Sequence, residues 1–462
     1  MNKNDGSILS VIKNGYCIGC GACTYVNKSL FNVKLNKYGM YSAIIVRKRI
    51  DEEIIKEASK ICPFSDFSLN EFEISRNNEE SLQYDDKIGF YINLYVGHIS
   101  NLERRIQSSS GGLITWFLSY LLKNRQVDGV IHINPCYTPG TLFKYSISEN
   151  VNHIRNGSGS HYYPIDLSKI LNFLKESSDK KYVIVGLPCF IKSIKLLSLY
   201  YPEIRSKIKY HIGLVCGHLK ATSFSELICL QCNINPMKVL SMKYRYKFKN
   251  RKASQYGLKI LYMKKDNLKK KIVGNNSLFG MKWSYGFFKY PACDFCDDVY
   301  CECADISFGD AWLSEYEIDC KGTNIIIPRN KEIDDILINA SKNKEIEIKN
   351  ISKLEILKSQ AGGIRHKRDG MQYRLYLYKK KLIWAPKKRY EANNEHISIF
   401  RRLLYKYRFY ISISSNKLYF KSKKRKYPVF YFRIHITGLV IMYNLIFFTD
   451  AIVGKIRNFL RR

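Results

Sequence analysis

Apolar and polar positions divide the chain into alternating strand and helix signals over its middle two thirds. Tyr91 to Gly97 alternates with period two, and apolar residues at 113, 114, 117, 118, 121 and 122 form a helical stripe. Val127–Ile133 and Leu142–Ile147 read as strands, and residues 166–177 as a polar-faced helix. Tyr182–Gly186 is an unbroken apolar run of the buried-strand type, followed by a helix from Ile191. Tyr210–Cys216 repeats that pattern. Strands alternating with helices predict an α/β layer whose function collects at the carboxyl ends of the strands. Residues 223–290 look richer in β structure, with alternation over Met242–Phe248 and Gly257–Met263. Lys321–Pro328 reads as a strand entered through a glycine turn, and residues 331–358 are amphipathic and charged. An apolar segment, Ile434–Gly454, closes the pattern.

Charge changes the picture at one end. Of a net +36, half falls between Lys379 and Arg462, where 21 Lys and Arg face 3 acids. The basic character is therefore largely a property of the C-terminal region, and no nucleic-acid motif accompanies it. Basic residues flank the 434–454 segment on both sides, which gives a spanning helix no preferred orientation. An interfacial helix on an anionic leaflet fits better. The opening Met-Asn-Lys-Asn-Asp-Gly is polar and leads into no apolar export signal. Fourteen cysteines in such a chain point to metal ligation in a reducing compartment rather than to disulfides, so a cytoplasmic protein is expected, peripheral to the inner membrane face.

The cysteines are grouped. Cys17-Ile-Gly-Cys20-Gly-Ala-Cys23 has the spacing of a bacterial ferredoxin run, and Cys62-Pro63 follows after a gap. Asn27 stands where the run's own fourth cysteine would fall. This is the pattern of a two-cluster ferredoxin module reduced to one [4Fe–4S] held by Cys17, Cys20, Cys23 and Cys62; a zinc knuckle is the alternative. Cys293-Asp-Phe-Cys296 supplies two more thiolates from one tight turn and needs two partners. Cys189 and Cys216 each follow a strand beside a glycine, at what the pattern makes one edge of the sheet. Each also reads, singly, as a buried core cysteine.

Two further stretches carry candidate chemistry. Ser108-Ser109-Ser110-Gly111-Gly112 at the start of the 113–122 helix is either an anion cradle or an ordinary serine cap. Gly157-Ser-Gly159-Ser160-His161-Tyr162 is a flexible turn with hydrogen-bonding side chains, equally readable as a surface loop. Gln360–Arg368 reads as a basic glycine turn, on the surface or against phosphates.

In this order these stretches resemble the coenzyme F420 hydrogenase/dehydrogenase beta-subunit family, which includes a plant reductase of the chlorophyll cycle and bacterial members of surface-polysaccharide clusters. The resemblance rests on the Cys17–Cys23 run, Ser109–Gly112, Val127–Ile131, Gly159–Tyr162, Gly186–Cys189, Gly213–His218, Cys293–Asp298, Ala304–Trp312 and Lys321–Thr323, spanning residues 15–370. It implies FAD cradled by Ser109, Ser110, Gly111 and Gly112 near Gly159, Ser160, Tyr162 and Asp310. It implies a second [4Fe–4S] on Cys189, Cys216, Cys293 and Cys296, with Cys301 and Cys303 left out. His161 and His218 become proton-donor candidates by motif position. Reduced ferredoxin or coenzyme F420 is the implied electron donor. The sequence departs from the family at Phe190, where glutamine is usual, and in lacking the second ferredoxin cluster. The expected architecture is mixed α/β: a ferredoxin-like module over 1–70, an FAD-binding part over 90–220, a part carrying the second cluster over 221–370, and a basic tail over 371–462.

Overall fold

The computed structural model describes residues 4–47, 50–76, 82–138, 140–177, 179–395 and 397–460. The acidic, polar composition of residues 71–95 reads as a linker; of these, 77–81 lie outside the described residues, as do Arg461 and Arg462, and the rest carries the short helix Glu71–Ser75 and two short strands. At the N-terminal end, β1 (Phe31–Leu35) and β2 (Tyr41–Ile45) form an antiparallel hairpin beside the helix Glu52–Ile61. A short hairpin of β3 (Gln83–Asp85) and β4 (Gly89–Tyr91) leads into the body.

The body is built on an eight-stranded sheet. Its strands are β5 (Tyr95–Ile99), β6 (Gly129–Pro135), β7 (Phe143–Ser148), β8 (Tyr182–Gly186) and β9 (Ile208–Leu214), then, after an excursion, β13 (Ile306–Asp310), β14 (Asn324–Pro328) and β15 (Ile346–Asn350). The excursion is an antiparallel three-stranded sheet of β10 (Val239–Tyr246), β11 (Gly257–Lys264) and β12 (Asn267–Gly274). The spatial order is β15-β5-β14-β13-β9-β8-β6-β7. The four central strands β6, β8, β9 and β13 run parallel, and antiparallel strands close both edges. Val183, Ile184, Ile212 and Ile306 on these strands are almost wholly buried, as expected for a sheet covered on both faces. The helices Leu113–Lys123 and Pro188–Tyr200, which cover it, lie where the apolar stripes place them.

Pairing moves some boundaries. Alternation predicts a strand over 91–97; β5 occupies 95–99 because its partners β14 and β15 are registered there. The 331–358 segment resolves into a helix, β15 and a second helix. Gln360–Arg368 is not a surface turn. It is the helix Ala361–Lys367, with His366 and Lys367 buried.

Beyond residue 370 the chain is mainly helical, with an irregular stretch over 381–395, and is packed on the body. The helix Asp369–Lys380 buries Arg374, which donates to the carbonyls of Asp294 and His366. Two long helices, Ile399–Ser422 and Pro428–Leu460, then form a hairpin. Ser415 accepts from the Phe288 amide at 2.9 Å and Asn416 donates to the Lys289 carbonyl, so the first hairpin helix grips the loop that leads to Cys293. One face of the second helix is buried through Phe432, Ile436, Val440 and Tyr443. Its other face exposes Ile434, Ile441, Leu445, Phe448 and Ile452.

Candidate functional site: two thiol quartets and a cavity

Cys17, Cys20 and Cys23 sit on a loop that turns through two left-handed glycines, Gly19 (φ +70) and Gly21 (φ +84), into the short helix Ala22–Val26. A Cβ on Gly19 would collide with the Cβ of Tyr41, so only glycine lets this loop press on β2. Cys62 ends the Glu52–Ile61 helix. All four line one small cavity with Ile18, Pro63 and Phe64. Cys17 Sγ accepts from the amides of Gly19 at 3.4 Å and Ala43 at 3.2 Å, the kind of N–H···S contact that supports a cluster sulfur. Burial, then repulsion among the thiols, pushes Cys23 and Cys62 well up, while burial pushes Cys20 up to about 11. Four clustered thiols in so dry a place are held as thiolates only by a metal centre.

The second quartet is assembled from strand ends and a loop. Cys189 follows β8, Cys216 follows β9, and Cys293 and Cys296 lie on the loop before β13. Burial raises the Cys189 thiol, and Cys296, Cys293 and Cys216, in that order, raise it further, so all four share one neighbourhood. Cys293 Sγ accepts from the Leu219 amide at 3.3 Å, and Cys296 Sγ from Lys367 Nζ at 3.3 Å. Among the described residues no three His, Cys, Asp or Glu side chains converge on a single-ion position. Thiol quartets that share a neighbourhood are the donor sets of iron–sulfur clusters and of structural zinc alike. Cys301 and Cys303 are fully buried under β9, where a Cβ on Gly213 would meet Cys301 at 2.5 Å. Cys301 takes a left-handed φ of +55.

Beside this quartet opens a cavity of about 1230 Å³. Ser109, Ser110, Gly112, Gly159, Ser160, His161, Tyr162, His218 and Asp310 all line it, and so does Cys216. The two candidate cradles meet: the Ser160 amide donates to the Ser109 hydroxyl at 2.8 Å across 51 residues. The serines are not the helix cap read from sequence. Gly112 (φ +84) is, without a side-chain bond, which leaves first-turn amides free toward the cavity. Ser108 donates back to Arg104 and Ser110 to the Thr323 carbonyl. Gly111 lies behind the lining, where a Cβ would meet Asn324 Oδ1 at 2.7 Å and the Gly97 carbonyl at 2.8 Å; its part is close packing on β5 and β14. Lys247 locks the cradle by donating to the Arg105, Ser110 and Lys321 carbonyls.

Asp310, at the carboxyl end of β13, is held by Arg245 through two bonds of 2.7 and 2.6 Å. His161 donates Nε2–H to the Gly157 carbonyl, 3.0 Å away, and burial lowers it to about 4. His218 stacks on Trp283 at 4.2 Å, and Trp283 in turn lies 4.8 Å from Tyr162. Neither ring nitrogen of His218 has a partner, and burial, then the charges of Lys220, Lys289 and Arg408, lowers it well below the usual histidine range. Both histidines are thus neutral at pH 7. Sequence reasoning missed Trp283, Arg245, Lys220 and Lys367, none of which stands in a motif spacing; Lys220 alone had a pointer, two residues past His218.

This is a thiol-rich α/β protein with a large cavity at the carboxyl ends of its parallel strands. Its sequence matches the two descriptions of the coenzyme F420 hydrogenase/dehydrogenase beta subunit, that of the N-terminal part over residues 94–172 and that of the C-terminal part over 179–354. Together they cover more than half of the chain, which belongs to this family. It is 26% identical over 357 residues to the coenzyme F420-dependent sulfite reductase of Methanocaldococcus jannaschii, covering 75% of this chain and 50% of that protein. The chain therefore spans about half the length of this curated relative. Among solved structures, a chain of the F420-reducing [NiFe] hydrogenase complex from Methanosarcina barkeri superposes with a TM-score of 0.47 at 19% identity, over 64% of this chain and 96% of that one.

Proposed function

We propose that the chain is an iron–sulfur flavoprotein oxidoreductase. It takes electrons from a reduced carrier, ferredoxin or coenzyme F420, and reduces or oxidises a small or glycan-related substrate at FAD. The carrying observation is Cys216, which belongs to the second thiol quartet and also to the cavity wall. The quartets fit [4Fe–4S] clusters by their dry thiol sets and amide donors. The cavity suits a flavin by its volume, its free helix-start amides and the close glycine backbone at Gly112 and Gly159. Clusters supply single-electron exchange and a flavin both one- and two-electron exchange.

The chain's own residues hold and orient. Ser109, Ser160 and the amides beyond Gly112 would hold the phosphate oxygens of a bound flavin nucleotide, and Arg245 fixes Asp310 at the strand end. Tyr162, Trp283 and His218 wall the cavity and keep water out. The neutral imidazole of His218, with both nitrogens unpartnered, is free to donate its one N–H toward a substrate, whereas His161 spends its N–H on the Gly157 carbonyl and offers Nδ1 only as an acceptor. The test is anaerobic purification with iron, sulfide and flavin quantitation. About eight irons and one flavin per chain are expected; protein lacking acid-labile sulfide and flavin overturns the reading.

A second reading, a non-catalytic electron-transfer subunit serving a partner enzyme, is favoured by the half-length match to the sulfite reductase. Turnover by the single chain with reduced ferredoxin separates the two. The exposed apolar face of the second hairpin helix supports a cytoplasmic protein that docks on the membrane surface.

A further inference from the structure

The cavity has a second end, walled in part by residues that the family descriptions do not reach. The hairpin helices bring Arg408 and Arg433 to it from beyond residue 354. They meet Lys220, His218, Lys282 and Trp283 there. Arg408 lies over the Trp283–Gly286 turn, its Nε 3.8 Å from where a Cβ on Gly286 would stand. That Nε is shut off from solvent without a partner, and among the described residues Arg408 has no ion pair or hydrogen bond. Lys220 is 2% exposed, donates to the Phe287 carbonyl and lies over the rings of Phe224 and Trp283, with no carboxylate partner among the described residues. His218 is 5% exposed, and both ring nitrogens are unpartnered.

The nearby carboxylate of Asp294 favours the Arg408 charge from a distance but is not bonded to it. Lys289 holds it directly, with Arg374 at 3.6 Å and His366 at 3.8 Å. Arg433, over the Phe279 ring, and Lys282, 3.5 Å from Asn444 on the second hairpin helix, stand exposed at the rim. Arg408 and Lys220 thus lack a bonded counter-ion, and an anion entering the cavity would supply one. A half-buried guanidinium with free N–H groups in a cavity wall is the fork that phosphate or carboxylate oxygens fit.

We propose that this end binds the anionic group, phosphate or carboxylate, of the substrate, with Arg408 as its principal partner. The C-terminal hairpin is then the part of this chain that selects the substrate. This rests on the reading of the cavity as the flavin and substrate site.

The test uses the whole protein with flavin and iron contents measured on each preparation. Inorganic pyrophosphate, inorganic phosphate and succinate are titrated by calorimetry and thermal shift against sodium chloride of equal ionic strength. The expected result is saturable binding of at least one anion, weakened tenfold or more in Arg408→Gln, partly restored in Arg408→Lys, and unchanged in Lys406→Gln on the exposed face of the same helix. Preference for pyrophosphate or phosphate identifies a phosphorylated substrate, and preference for succinate a carboxylated one; either sustains the proposal. Should Arg408→Gln not fold, Arg433→Gln at the exposed rim is expected to weaken binding about threefold. Binding that is equal in the wild type and in whichever of these variants folds, with flavin present, overturns it, as does absence of binding by every anion. Arg408-dependent binding in a protein that contains no flavin would instead leave the anion site standing and remove the redox reading.

Discussion

Lys367 Nζ lies 3.3 Å from Cys296 Sγ and also donates to the Asp298 carbonyl. Burial opposes the charge on this lysine, but the thiols of Cys296 and Cys216 outweigh it and keep it protonated. A fixed positive charge in contact with one ligand of the second cluster favours the reduced, more negative state of that cluster. Replacing Lys367 with Met is therefore expected to lower the midpoint potential of one cluster by on the order of 100 mV, from a unit charge about 5 Å away at an effective dielectric of about 20. Iron content and the other cluster's potential stay as they are. Equal potentials in an anaerobic EPR titration of the two proteins would show that Lys367 only packs.

The two quartets are separate in the fold, so their losses are expected to be separate. Cys17→Ser and Cys293→Ser should each keep about half of the iron, with different EPR signals surviving. Cys301→Ser should keep all of it, because that thiol is packed under β9 against Gly213 rather than set in the quartet. Loss of iron in Cys301→Ser would reassign a ligand.

A buried network fastens the segment after residue 380 to the cysteine loop. Arg389 donates to both oxygens of Glu302 at 2.7 and 2.8 Å and to Asp297 at 3.1 Å, with Glu71 at 3.7 Å. Removing one partner from such a network strands buried carboxylates, at a cost of about 3–5 kcal/mol. Arg389→Ala should lower thermal stability by that order and loosen the second cluster, seen as iron lost on gel filtration; Lys387→Ala nearby, contributing only its amide to Asp66, should do neither.

His161 gives the fold an acid limit. Burial lowers it to about 4, against an ordinary value of 6.5. Between these pH values the unfolded chain binds a proton that the folded chain refuses, so stability rises with pH from about 4 to 6.5 and is flat above. The full effect is at most about 3 kcal/mol. His161→Gln should lessen the slope of the melting temperature over that window without abolishing it, because His132, His218 and His366 are lowered likewise; an unaltered slope would mean that those groups alone set it.

How much of this was open to sequence reasoning follows from the range of the forces involved. Cys189 and Cys216 could be placed at one sheet edge because apolar runs ending in glycine are local, and parallel strands share a carboxyl end. The Cys17–Cys23 loop is likewise local, its glycines demanded by the turn itself. Lys367 was out of reach: its glycine-rich surroundings read as a turn, and only the packing of a distant thiol loop makes a buried helix of them. The serines at 108–110 read as a helix cap because their type suits one, whereas Gly112 takes the position and frees Ser109 for Ser160. Arg408 and Arg433 reach the cavity only through docking of a hairpin that charge counting presents as a tail.

The outer face of that hairpin bears on where the protein resides. Ile434, Ile441, Leu445, Phe448 and Ile452 recur at helical spacing and stand exposed, while the opposite side of the same helix is spent on packing. The helix is long and apolar enough to cross a bilayer, yet its inner face is held by the first hairpin helix and by Tyr285, which bonds to Asn444. Surface docking needs only the outer face. The variant Ile441→Ser/Leu445→Ser/Phe448→Ser leaves the inner face untouched, so cluster and flavin contents should hold. Immersing three such side chains is worth about 3 kcal/mol or more, and co-sedimentation with anionic phosphatidylglycerol vesicles should fall at least tenfold. Wild-type protein that stays in the supernatant, or a variant that sediments equally, would separate this face from the membrane and leave it as a surface for another protein.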